Sequence, residues 1–186
     1  MRWSGCPPLC LRYTASALGS FQRYDRPRPY GAVLRSGPFP LVLEAIPSAL
    51  LAVRTALAQG GHGPAGPALV RYGRIAMEGV MTIEIGYPIT AAAASSLETS
   101  SVEASFRLGT LPPGRYAETV VEGPYEGLQA GTVAFLAWGE AAGVRWAKEG
   151  ASGAQWTART EHYEVGPEST ADPSQWRTRL SFLLAP

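Results

Sequence analysis

A short motif occurs twice in this chain, as Gly37-Pro38-Phe39 and as Gly123-Pro124-Tyr125. The residues before each copy follow the same order. Ser20-Phe21-Gln22-Arg23 leads to Tyr30, Val33 and the first turn; Ser105-Phe106-Arg107-Leu108 leads to Tyr116, Val120 and the second. Both copies pass through a proline bend, Pro27-Arg28-Pro29 in one and Pro112-Pro113-Gly114 in the other. A duplicated module of this length points to a pseudo-symmetric fold, and the seam between two similar halves is a natural place for a ligand cleft.

Periodicity fills in the module. Tyr30 to Arg35 reads as a strand entering a turn at Ser36-Gly37-Pro38, and a helix starts at Ile46-Pro47-Ser48, where the missing proline N–H is not needed. Ile46, Leu50, Val53 and Leu57 share one helical face, and Gly60-Gly61 ends it. Strands follow at Ala68–Arg74 and Val80–Gly86; in the second, Met81, Ile83 and Ile85 alternate with Thr82 and Glu84. The Ala-, Ser- and Thr-rich stretch 91–101 reads as a connector. The second copy repeats the order: strand Ala104–Leu108, strand Tyr116–Glu122, a helix from about Glu126 to Ala142 that turns Leu128, Phe135 and Trp138 to one side, a glycine-rich loop Gly150–Gly153, then strands Trp156–Val165 and Arg177–Leu184. Strand-helix-strand-strand, twice, predicts an α+β fold: one antiparallel sheet with two helices on one side.

The 186 residues suffice for one domain with a core, or two small halves that share one. The expected division is a disordered leader over 1–19 and one domain over 20–186, with repeat one at 20–90, a connector at 91–102 and repeat two at 103–186. The leader carries Arg2 and Arg12 but no acid before Asp25, and Pro7-Pro8 interrupts it. It lacks the uninterrupted apolar stretch of a secretory signal. A net charge of +1 offers no basic surface for nucleic acid. The longest apolar run, Leu41 to Val53, is broken by Glu44 and Pro47, short of the ~20 residues that span a bilayer. Two cysteines, Cys6 and Cys10, without a matching Cys or His pair elsewhere argue against zinc and for a reducing, cytoplasmic setting.

Five stretches carry a family resemblance: Glu84-Ile85-Gly86-Tyr87-Pro88-Ile89; Leu111 to Ala117; Glu122 to Leu128; Phe135-Leu136-Ala137-Trp138; and Thr160-Glu161-His162-Tyr163. In this order the chain resembles the GyrI-like small-molecule-binding domains, which also form the effector-binding part of AraC- and MerR-type multidrug regulators. The resemblance implies a cleft between the halves for bulky, flat, often cationic compounds. It also implies an acid at the cleft base in an E-x-Y pattern, which falls on Glu161 and Tyr163. The regulators carry a helix-turn-helix ahead of this domain; the short leader here has none, so the expectation is a stand-alone member without direct DNA binding. In the first copy Arg71-Tyr72-Gly73 stands opposite Glu161-His162-Tyr163 and supplies no acid.

Strand alternation puts Thr157, Arg159, Glu161, Tyr163 and Val165 on one face and Trp156, Ala158, Thr160 and His162 on the other. A carboxylate in an aromatic cleft is costly until a cation meets it, and desolvation raises its pKa. The residues alone favour a salt bridge from Glu161 to Arg159; the resemblance favours a cleft role. Trp138, Tyr125 and Phe39 are candidate aromatic walls, with core packing as the alternative and the better reading for Phe39. Tyr116 is a candidate hydroxyl at the cleft, and Trp156, with Trp146, a lid or a plug. Trp176 reads as packing, and His62 as exposed. No Ser-His-Asp set, phosphate loop or dinucleotide fingerprint can be assembled, and His62 is a poor haem ligand, so no cofactor and no metal are expected. The first functional expectation is capture of a small hydrophobic or cationic ligand by a sensor or sequestering protein. The second is a hydrolase that adds water to cyclopropane-containing toxins, with Glu161 as acid or base, Tyr163 holding a substrate oxygen and Trp138 its flat body. A protein partner such as DNA gyrase rests on the family name alone.

Overall fold

The computed structural model describes residues 19–76, 79–98, 105–150 and 155–186. The expected leader therefore lies outside the described residues except for Gly19, as do 99–102 of the connector and 151–153 of the glycine-rich loop. Strands β1 (Ser20–Tyr24), β2 (Arg28–Gly37), β3 (Ala68–Arg74) and β4 (Met81–Pro88) belong to the first half, with helices α1 (Phe39–Glu44), α2 (Ile46–Gln59) and α3 (Ala91–Glu98). The second half holds β5 (Phe106–Leu111), β6 (Gly114–Glu122), α4 (Leu128–Ala141), a two-residue β7 (Lys148–Glu149), β8 (Gln155–Val165) and β9 (Arg177–Leu183). The fold is α+β, with one nine-stranded antiparallel sheet in the order β1-β6-β9-β8-β3-β4-β2-β5 and β7 on the side of β8.

That order reveals an exchange. The first strand of each copy leaves its own half: β1 pairs with β6, and β5 pairs with β2. Each carries its matched phenylalanine across. Phe21 lies 5.6 Å from the Trp138 ring on α4. Phe106 lies over Gly31, where an added Cβ would approach its ring to 2.7 Å. Only glycine leaves room there.

Beside the strands β1 and β7, two helices were not expected from sequence. The Gly-Pro-Phe turn feeds directly into α1, because Pro38 at the cap and Pro40 in the first turn lack only N–H groups that a helix start does not use. The connector holds α3, whose Ala93 and Leu97 are buried in the first core; small residues suit a helix lying close on a sheet.

Helix α2 covers β2 and β4 through Ala49, Val53 and Leu57, which share a core with Val33, Ile83 and Ile85. Helix α4 covers β6 through Phe135, packed against Phe182, Leu180 and Ala117. Gly61 (φ 74°) and Gly143 (φ 68°) close these helices in the left-handed conformation that glycine adopts freely. The two halves meet at the β3–β8 pair, where Val70 faces Glu161 and Tyr72 faces Arg159. On the helix-free face a second cluster forms from Tyr30, Ala32, Leu69, Leu111, Tyr116, Ala158 and Leu183. No helix among the described residues is long and apolar enough to cross a membrane.

Candidate functional site

Glu161 occupies the seam between the two helix-side cores. Its neighbours across the strands are Val70 of the first core and Leu180 of the second. It is 6% exposed. The Tyr163 hydroxyl donates to its Oε2 at 3.0 Å. Burial pushes the carboxyl pKa above its ordinary value, against the hydroxyls of Tyr163 and Tyr72 and the charge of Arg159, which pull it down. Burial, then the adjacent Glu161, holds both phenols well above their usual range, so they remain protonated donors. Among the described residues no cation lies within ion-pair distance of Glu161.

The expected alternative, a salt bridge to Arg159, does not form. Arg159 instead sets its guanidinium among aromatic rings, 4.9 Å from the Phe182 centroid, 5.0 Å from Trp156 and 5.4 Å from Tyr72. Desolvation lowers its pKa, while Tyr72 and Glu161 oppose that shift. The two charges sit on the same strand face without bonding to each other.

Of the expected aromatic walls, Tyr125 joins the acid. Its ring meets Tyr163 edge-on at 5.3 Å and Trp176 at 4.6 Å. The turn that presents it is fixed by Gly123, at φ 103°, whose N–H donates to the Trp176 carbonyl at 2.9 Å. Phe39 is partly buried and packs against the first core. By register it lies toward the other end of the seam: Gly37 pairs with Met81, Tyr72 with Ile83 and Arg159 with Tyr72. The two Gly-Pro-aromatic turns therefore lie toward opposite ends of the β3–β8 seam.

The structure sets the remaining candidates apart from Glu161. Trp138 stacks on Phe135 at 5.5 Å and covers Gly19 and Phe21 near β1, three strands from β8. Tyr116 is fully buried on the helix-free face, and its hydroxyl donates to the Pro112 carbonyl at 2.7 Å. Trp156 is buried against Trp146 and Phe182 and reaches the site only through Arg159. His162 lies on the opposite side of its strand, bonded to Thr160 Oγ1. Burial first, then the charges of Arg179 and Arg28, pushes its pKa down to about 3, leaving it neutral. His62 is half-buried rather than exposed, with Nε2 enclosed.

Sequence reading missed Tyr72 and the role of Trp176. Tyr72 alternates onto the Glu161 face, but only the β3–β8 register reveals this. A groove of about 290 Å³ also opens on the helix-free side, lined by Arg71, Thr82, Glu84 and Trp156 among others. At the Tyr163 end, Arg54 of α2 reaches Glu168 beyond β8 at 3.1 Å and links the two halves.

No family model and no curated protein matches the chain in sequence. Solved structures do match it in shape. The fold resembles that of the EcmrR C-terminal domain. That similarity has a TM-score of 0.65 at 14% identity and covers 90% of this chain and 96% of the other. SAV2435, solved with tetraphenylphosphonium bound, gives 0.58 at 11% identity, over 90% and 93%. A hydrolase from Listeria innocua gives 0.55 at 13%, over 90% and 91%.

Proposed function

We propose that this chain is a GyrI-like domain that binds planar, hydrophobic, cationic small molecules in the crease over β3 and β8. The observation that carries the reading is the buried, unpaired carboxylate of Glu161 at the seam of the two halves. An isolated buried carboxylate costs several kcal/mol after relaxation. A cation entering the crease recovers part of that cost, and the ring of Tyr125, backed by Trp176, offers it a stacking wall worth about 0.5–2 kcal/mol. Tyr163 and Tyr72 hold the carboxylate oxygens, so the charge is oriented before any ligand arrives. The tetraphenylphosphonium complex of a similarly folded protein supports the ligand class.

Quenching of tryptophan fluorescence by a rhodamine-type cation tests this, because Trp176 flanks the site. The expected result is micromolar binding that Glu161→Gln weakens at least tenfold. Unchanged affinity in the variant contradicts the role given to Glu161.

A second reading is supported by one observation, the raised pKa of Glu161 between two phenols. A carboxyl that retains its proton can donate it to the carbon of a strained cyclopropane ring as a ring C–C bond breaks. Water then forms a C–O bond at the other carbon, and its lost proton restores the carboxyl. The balance is addition of one water. Trp138 stands too far along the sheet to hold such a substrate; Tyr125 takes that place. Mass spectrometry of a cyclopropane-bearing alkylating agent incubated with the protein reads the added water. No turnover above buffer removes this reading and leaves the first.

A further inference from the structure

The crease holds two unbalanced charges, not one. Arg159 and Glu161 are two residues apart on the same face of β8, about 6–7 Å along the strand, and among the described residues neither has an ion-pair partner. The guanidinium of Arg159 makes no hydrogen bond to any described residue, and its Nε is enclosed without an acceptor. An arginine carries five donors and keeps its charge at any ordinary pH. Three rings, Tyr72, Trp156 and Phe182, hold its planar group, and Trp156 and Phe182 are themselves buried. The residue as a whole is only half-buried, so its outer nitrogens remain within reach. Tyr72 ties the two charges into one unit: its ring lies beside Arg159, and its hydroxyl interacts with Glu161.

A purely cationic ligand drawn to Glu161 is repelled by Arg159. A ligand with a carboxylate one strand repeat from its cationic group satisfies both. We infer that the crease selects bipolar ligands, taking the cationic group at Glu161 and an anionic oxygen, a carboxylate, at the aromatic-boxed guanidinium of Arg159. This rests on the proposed cleft reading and adds a second anchor to it. Arginine suits the task because its fork meets a carboxylate through two parallel hydrogen bonds, and its stacked plane is already fixed in orientation.

The test uses two dyes with one xanthylium core. Rhodamine B is a zwitterion at neutral pH; its ethyl ester keeps the cation and loses the carboxylate. Fluorescence anisotropy on the full chain should show the zwitterion bound at least fivefold more tightly than the ester. Arg159→Met should reverse the order, weakening the zwitterion about tenfold while the ester binds as well or better. Equal affinities of the unsubstituted protein for the two dyes overturn the inference and need no variant that must fold. So does an Arg159→Met protein that loses both dyes equally. If the ester binds through Glu161 and the zwitterion gains nothing, the cleft reading stands and Arg159 is excluded from it. If neither dye binds, both readings fall.

Discussion

The two faces of the sheet treat their buried acids differently. On the helix-free face, Glu118 accepts from Tyr24, Arg179 and Ser181, and Glu84 accepts from Tyr30 and Arg71. Each of these carboxylates has a cation in contact, and their cations have further partners: Arg179 also meets Glu164, and Arg71 donates to the Thr157 carbonyl. On the helix-covered face, Glu161 is at least as deeply buried yet has only phenols. Full compensation marks an acid that holds structure; partial compensation marks one left open to a partner from outside. The contrast separates these roles without reference to any relative.

Removing the compensated acids should do the most damage. Glu118→Ala strands three donors, Arg179 among them, in a largely dry environment, and should cost about 2–4 kcal/mol of stability in a denaturant melt. Little change would mean that the helix-free face is wetter than its packing implies. The opposite sign is expected on the other face. Glu161→Gln removes an uncompensated charge and should raise Tm by roughly 2–4 °C while weakening cation binding. A fall in Tm would place Glu161 with the structural acids.

The pH dependence follows from the same contrast. Because the folded state raises the Glu161 pKa above 4.5, folding favours the protonated acid. Its contribution to stability is complete below the unfolded value and is lost as pH rises through the folded one. Binding of a permanent cation runs the other way, weakening on acidification through that window; in Glu161→Gln both dependences should flatten. Smaller still is the effect of Tyr163→Phe, which should weaken cation binding a few-fold by releasing one oriented oxygen. Arg54→Ala should leave Tm unchanged, since the Arg54–Glu168 pair is exposed. A change in ligand dissociation rate, without a change in Tm, would show that this contact spans the crease mouth.

Much of the architecture was legible because it is local. Alternation in β4 and β8 and the α2 periodicity are properties of single segments, and the repeated Gly-Pro-aromatic turn fixed the order of the elements. Alternation alone also put Glu161, Tyr163 and Arg159 on one face. What could not be read was pairing. The exchange of β1 and β5 between halves depends on contacts such as Phe106 on Gly31, which no segment carries by itself. Tyr72 enters the site only because Val70 registers with Glu161. Trp138 and Tyr116 sit at matched places in the motif order, but helix position and strand parity send one toward β1 and the other to the opposite face. The Arg159 salt bridge failed for a related reason: adjacent charges on one strand face need not meet when aromatic rings from β3 and β9 offer the cation another surface.

The central claim is that the buried carboxyl of Glu161, without an ion-pair partner among the described residues, takes a cation from outside. Carbon-detected NMR titration of the Glu161 side-chain carboxyl, without and with tetraphenylphosphonium, tests it directly. A pKa above 4.5 in the free protein that falls when the cation binds is the predicted result. An ordinary pKa that the cation leaves unchanged would contradict the account.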